Sequence, residues 1–172
     1  MIITPILQNK HPILRLKTKP LDVTEISSTK IQKVISQMIK TLESCPDGVA
    51  IAAPQIGASL PIFIVSMQMI EANPKVNPRH LVFINPKITK LSKKKIILDE
   101  GCLSVRNIYG KTRRAVTATV EACDQTGKKF TWTGRDLMAQ VFQHEVDHLN
   151  GILFTDHATD LETIVETSKT ND

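Results

Sequence analysis

The sequence predicts an α+β domain in which antiparallel strands pack around a central helix bearing a His-Glu-x-x-His pentad, with a second helix near the N-terminus. Three observations lead there. Apolar residues recur at i, i+3, i+4 and i+7 between Ile31 and Leu42, and helical spacing returns around Leu137–Leu149. Residues 116–123 alternate apolar and polar with the period of two that marks a half-buried strand. Between these lie short apolar runs of strand length, punctuated by Pro, Gly and Asn-Pro.

Taken in order, residues 1–23 hold two prolines before Pro20 and no clear period, which reads as an extended arm. Ser27 or Ser28 can cap the first helix, whose buried stripe is Ile31, Val34, Ile35, Met38, Ile39 and Leu42; Pro46-Asp47-Gly48 ends it. Strand character follows at 48–53, 62–66, 81–85, 87–91 and 96–98, with 68–80 as a polar loop. Val116, Ala118, Val120 and Ala122 face one way and Thr117, Thr119, Glu121 and Cys123 the other. Asp124-Gln125-Thr126-Gly127 turns the chain into a return strand at 128–133. Gly134-Arg135-Asp136 leads into the pentad helix, roughly 136–149. With no internal repeat and no linker, a single domain is expected over 1–158, followed by a polar tail over 159–172.

Bulk properties narrow the function classes. A chain of 172 residues can bury on the order of 70% of its unfolded surface and needs no disulfide staples. Three widely spaced cysteines fit a reducing compartment rather than a disulfide framework. No apolar run reaches the ~20 residues of a membrane span, and no signal-peptide core follows Ile2 and Ile3. A cytoplasmic protein with no membrane partner is expected. Lys plus Arg exceed Asp plus Glu by 22 − 17 = 5. The tightest basic cluster, Lys93-Lys94-Lys95, is a three-residue turn, so no specific nucleic-acid partner is expected.

His144-Glu145-Val146-Asp147-His148 carries the chemistry. Four residues make slightly more than one helical turn, so both imidazoles project from one face toward one ion, and Glu145 points at its open side. At 100° per residue, Leu137, Met138, Val141, Phe142, His144, Glu145, His148 and Leu149 share one arc, leaving Ala139, Gln140, Gln143, Val146 and Asp147 opposite. An inward His–Glu–His cluster is costly to bury, and a divalent cation compensates it. A catalytic site takes three protein ligands and keeps one position open. Cys102, after Gly101 at the end of a strand-like run, is one candidate third ligand; on spacing alone Asp156 and Glu162 are others.

Three segments together resemble the peptide deformylase family: 48–57 (GVAIAAPQIG), 100–104 (EGCLS) and 143–149 (QHEVDHL), with 11–15 (HPILR) similar to its opening arm. The resemblance implies that Cys102, His144 and His148 hold one divalent metal, iron(II) in the cell, with zinc, nickel or cobalt also able to occupy the site. It implies Glu145 as general acid/base, and the Gln55 amide with the Leu103 N–H as oxyanion donors. The implied substrate is the N-formyl group on the first methionine of a nascent polypeptide, released as formate. Val49, Ala50 and Gly101 would hold the peptide main chain by strand addition. Leu98, Leu137 and Val141 are the candidate walls of the methionine pocket.

Ala50 stands where the family usually has a second glycine, and Arg106 where proline is common. The basic C-terminal extension by which some members contact the ribosome is not matched here, since Asp160, Glu162, Glu166 and Asp172 face Lys169 alone. Two other readings compete. A zinc endopeptidase could use the same pentad, and a non-catalytic metal or RNA-binding module would close its site with His80 or His157.

Overall fold

The computed structural model describes residues 3–72, 75 and 79–164. Ser28 caps α1 (Thr29–Glu43) by accepting from the Ile31 N–H. Ile31, Ile35, Met38 and Leu42 of its predicted stripe are buried, and Val34 and Ile39 pack against the same cluster. A short helix, α2 (Met67–Glu71), opens the stretch expected to be a polar loop. The pentad lies on α3 (Asp136–Leu149).

Among the described residues, eight strands form two antiparallel sheets. The larger runs β1 (Ala50–Ala52), β2 (Ile62–Ser66), β3 (His80–Leu91), β6 (Thr117–Cys123) and β7 (Lys129–Arg135) in the order β1-β2-β3-β6-β7. The smaller holds β4 (Lys95–Cys102), β5 (Val105–Ala115) and β8 (Thr159–Thr163) in the order β4-β5-β8. The two runs read as separate strands around Asn85-Pro86 are one strand with a bulge between Ile84 and Lys87. Asn85, at φ 52°, exchanges two hydrogen bonds with the Leu21 backbone at 2.7 and 2.8 Å, so the punctuation anchors the N-terminal arm instead of ending the strand.

Two expectations change. The segment 105–115 carried no strand signal, because five of its residues are Arg, Lys or Asn and its apolar positions do not alternate regularly; its register with β4 supplies the order that its composition hides. The expected tail also begins too early. Thr159–Thr163 pairs with β5 through Ile108↔Thr163, Tyr109↔Glu162 and Lys111↔Thr159, an exposed polar edge strand that apolar patterning could not reveal. The rest of that tail, 165–172, lies outside the described residues.

The larger sheet is covered on both faces. Ile62, Ile64, Val82 and Ile84 turn to α1, whereas Phe63, Val65, Phe83, Val120 and Ala122 turn to α3. Phe63 stacks on Phe83 with ring centroids 4.5 Å apart, and Phe142 of α3 meets Phe83 edge-on at 5.2 Å. This explains a correction to the predicted helix faces. Ala139 and Gln143, assigned to the outer side of α3, are buried, while Leu137, assigned inward, is 43% exposed. The helix sits between two sheets, so burial runs almost all round it. Gln143 uses that position: its amide accepts from Ala115 N–H and donates to Ala115 O, tying α3 to β5.

Phe142 touches both layers of this packing. Phe142→Ala is expected to cost about 3–5 kcal/mol of stability, read as a shifted denaturation midpoint with an unchanged m-value.

Candidate metal centre and active-site cleft

The first turn and middle of α3 face the end of β4. Along β4 a register shift falls between Gly101 and Cys102, which turns the Cys102 side chain toward the helix. Gly101 is required beside it: a Cβ there would lie 2.7 Å from the Tyr109 ring on β5. Cys102 Sγ lies 3.1 Å from His148 Nε2, and the ligand atoms of Cys102, His144 and His148 all fall within 4.8 Å of one another. Two ligands at ordinary bonding distances from one tetrahedral ion are separated by roughly 3–4 Å. Among the described residues this is the group of Cys, His and acidic side chains able to hold an ion.

The charge state of the trio fits that use. Burial opposes ionisation of Cys102, yet the charge on His148 and hydrogen bonds from His144 and His148 outweigh it and bring the thiol pKa down to about 5. The Ser104 N–H and Gln55 Nε2 also donate to the sulfur, at 3.4 and 3.6 Å. A buried thiolate balanced by imidazolium protons is a donor set in which a divalent cation can replace those protons. The alternative third ligands do not reach it. Asp156 pairs with Arg15 and accepts from Leu153 N–H, and Glu162 lies on β8 opposite Tyr109. His80 sits 3.7 Å from Glu43 and His157 3.3 Å from Asp147, so neither joins the trio as a fourth ligand.

Glu145 is 3% exposed, and its Oε2 has no hydrogen-bond partner among the described residues. Burial lifts its pKa to about 7, which poises it to take or give a proton near neutrality. His148 Nδ1 is likewise buried without a partner. Gln55 is fixed at the other side: its Oε1 accepts from Ala52 N–H at 2.7 Å, which turns Nε2 toward Cys102 and Ser104 Oγ. The N-terminal arm braces both donor segments. Leu7 N–H donates to Gln55 O, and Gln8 Nε2 donates to Leu103 O.

These groups open onto a cleft of about 320 Å³ lined by Val49, Ala50, Gln55, Gly101, Cys102, Leu103, Leu137, Val141, His144 and Glu145. Leu98 does not line it. It shares the face of β4 that carries Glu100 but lies two residues farther along the strand, beyond the cleft lining.

The motif reading missed the frame behind the ligands. Glu100 Oε1 lies 2.6 Å from His144 Nδ1, leaving Nε2 to face the ion site. Arg114 grips both Glu100 oxygens at 2.6 and 2.9 Å and reaches Asp147 on α3 at 2.7 Å; Thr112 Oγ1 donates to Glu100 at 2.5 Å. Glu100 stands beside Cys102 in a quoted motif, but nothing in the sequence pairs it with Arg114, 14 residues on. The hairpin register does that.

The chain matches the family model described as polypeptide deformylase over residues 3–163. It is 37% identical over 160 residues to Peptide deformylase 2 of Clostridium acetobutylicum, spanning 93% of this chain and 98% of that one. Among solved structures, a peptide deformylase from Legionella pneumophila superposes with a TM-score of 0.82 at 35% identity, over 92% of this chain and 88% of that one. The Met-Ala-Ser-bound class I type b peptide deformylase of Acinetobacter baumannii gives 0.81 at 31%, over 91% and 98%.

Arg114→Met would leave the Glu100 carboxylate buried beside His144 without its cation, at an expected cost of about 3–5 kcal/mol. Burial raises the Glu100 pKa, but His144 and Arg114 outweigh it and hold the group well below its ordinary value. A depressed folded-state pKa gives stability that is full above the usual carboxylate range and is lost as pH falls toward the folded value. Urea midpoints measured across acidic pH should therefore fall later in the parent than in Arg114→Met; parallel curves would remove Arg114 from this role.

Proposed function

The chain belongs to the polypeptide deformylase family and is an enzyme of it, and from that premise we propose that it hydrolyses the N-formyl group from the first methionine of newly made polypeptides, releasing formate. The observation that carries the reading is the buried Cys102–His144–His148 trio opening onto a cleft that also holds Glu145 and the Gln55 amide. Cys102, His144 and His148 would hold one divalent ion, iron(II) in the cell, which when bound supplies Lewis acidity toward water and the formyl carbonyl.

The residues divide the remaining work. Glu145 takes the proton of the attacking water and returns it to the leaving amine, a task suited to a carboxyl whose pKa lies near 7. Gln55 Nε2 and the Leu103 N–H donate to the negative charge that develops on the formyl oxygen. Gln55 is already oriented by Ala52, so that donation needs little reorganisation.

β1 and β4 each end their sheets, and both border the cleft. A peptide main chain lying between those two free edges could pair with Val49–Ala50 on one side and Gly101 on the other. Leu137 and Val141 form the apolar wall for methionine. That the Acinetobacter protein binds Met-Ala-Ser is in keeping with a peptide ligand beginning in methionine. Three free cysteines fit a reducing, cytoplasmic setting, and among the described residues no helix is long and apolar enough to cross a membrane. The endopeptidase reading is less favoured: Asp47 and Arg106, both lining the cleft, are joined at 2.8 Å and leave less room for chain on both sides of a scissile bond.

Formyl-Met-Ala-Ser should yield formate, while the unformylated peptide stays intact; internal cleavage of either would overturn the assignment. Glu145→Ala should retain metal and lose roughly 10²–10⁴-fold in turnover. Gln55→Ala should lose roughly 10²–10³-fold in kcat. Cys102→Ser should lower metal content or change which ion is retained, read by elemental analysis. Activity that decays in air and returns with iron(II) identifies the physiological ion; air-stable full activity with zinc alone would exclude iron as that ion.

A further inference from the structure

Among the described residues, part of one face of the larger sheet lies beyond helix cover. On the α1 side, α1 packs over β1, β2, the first half of β3 and the end of β6 at Cys123. Beyond it, along the second half of β3, Thr117–Glu121 of β6 and β7, the odd-numbered β6 and β7 side chains turn outward, since Ala118, Val120, Ala122 and Phe130 face α3. Strand register arranges the outward residues in rows. Lys87, Glu121 and Thr131 make one row, Lys90, Thr119 and Thr133 the next, and Thr117 with Arg135 the third. Lys129 closes the far end opposite Cys123. The β3–β4 turn is fastened along the third row by Ser92 N–H to Thr117 O and Val116 N–H to Lys94 O, which sets Lys93 and Lys94 at its border.

Six cations therefore share a surface with one acid, Glu121, and Asp136 just beyond Arg135. All six are exposed. None forms a side-chain ion pair among the described residues, in contrast to Arg15, Arg106, Lys111 and Arg114. Between them stand threonine hydroxyls, two of which, Thr119 and Thr133, already hydrogen-bond at 2.9 Å. Same-face residues two apart on a strand are ~7 Å apart, and neighbouring strands ~4.8 Å. The result is a lattice of positive charge and hydroxyl groups whose outward rows, among the described residues, hold no large apolar side chain.

We infer that this face docks duplex RNA without reading its sequence, an activity that goes beyond deformylation and does not depend on it. Long flexible cations meeting a regular array of charge fit a phosphate backbone, and short hydroxyls among them can reach 2′-hydroxyls across a wide, shallow minor groove. A membrane surface fits less well, because a peripheral anchor needs apolar groups to bury, and this face offers threonine instead.

The probe is a fluorescein-labelled 16-base-pair RNA duplex, titrated with the full chain by anisotropy at 50 to 200 mM salt. The log of the binding constant should fall with log salt at a slope of roughly −3 to −5, for four to six phosphates neutralised. Lys90→Ala/Lys94→Ala/Arg135→Ala should weaken binding roughly tenfold or more and flatten the slope by about 2–3. Lys10→Ala/Lys17→Ala/Lys19→Ala removes the same charge from the arm and should change affinity less than threefold. Formate release by both variants serves as the folding check, with the corresponding Gln variants used if either is destabilised. Equal losses in the two variants would overturn the surface assignment. Equal affinity for the same sequence as duplex DNA would overturn the RNA assignment, and tighter binding to phosphatidylserine vesicles than to RNA would overturn both.

Discussion

A carboxylate buried between two sheets holds the catalytic architecture together. Glu100 is 5% exposed, at a depth where an unpaired charge costs several kcal/mol. Arg114 answers it from the neighbouring strand, Thr112 adds a hydroxyl, and His144 takes the remaining direction from the helix. The carboxylate is thus satisfied only if β4, β5 and α3 are all in register. Because Cys102 lies two residues along β4 and His148 one turn along α3, the constraint that satisfies Glu100 also brings sulfur and imidazole together. The ion site is a consequence of neutralising a buried charge as much as of the ligands themselves.

That arrangement separates rigidity from reactivity. Arg114, Gln143 and Gln140 bind α3 to the strands through side chains and backbone, with Gln140 donating to Asp99 O. Glu145 lies on the same helix yet has an oxygen without a partner among the described residues. In the proposed reaction Glu145 exchanges protons and is served by that freedom, whereas a group that aims a ring is not. Two glutamates near one histidine therefore diverge: bonds to cations hold Glu100 ionised, whereas burial lifts Glu145 to about 7.

The helices and the half-buried strand were legible in the sequence because they are written in local spacing. The pentad follows from helical pitch, and the α1 stripe and the 116–123 alternation follow from periodicity. Legibility ended where partners are set by register. Val105–Ala115 looks irregular alone because Arg114 and Thr112 point inward to serve Glu100, which inverts the usual polar-outside pattern. Thr159–Thr163 adds to β5 through backbone bonds that side-chain character does not announce. Leu98 was misplaced as a cleft wall for a related reason: a strand's alternation shows which residues share a face, but not how far along that face the opening extends. Ser104, completely buried against Gln55, was quoted in a motif without a role because a serine alone says nothing about what it bonds.

The two faces of the larger sheet also differ in what they can tolerate. On the α3 side, Phe63, Phe83 and Phe142 are in ring contact beneath the catalytic helix, and a lost methylene is transmitted to the ligands through close packing. On the far side of β3, β6 and β7 the outward cations are exposed and make no ion pair among the described residues, so they lie outside the packing that supports the candidate ion site. A surface whose composition is unconstrained by packing would be expected to drift toward mixed charge. This one carries Lys87, Lys90, Lys93, Lys94, Lys129 and Arg135 against Glu121. With Asp136 at its border also counted, this surface holds 6 − 2 = 4 of the chain's net charge of +5. Nearly all of the protein's net charge is thus concentrated where stability does not need it, and concentration of that kind favours a role in contact with an opposite charge over solubility alone.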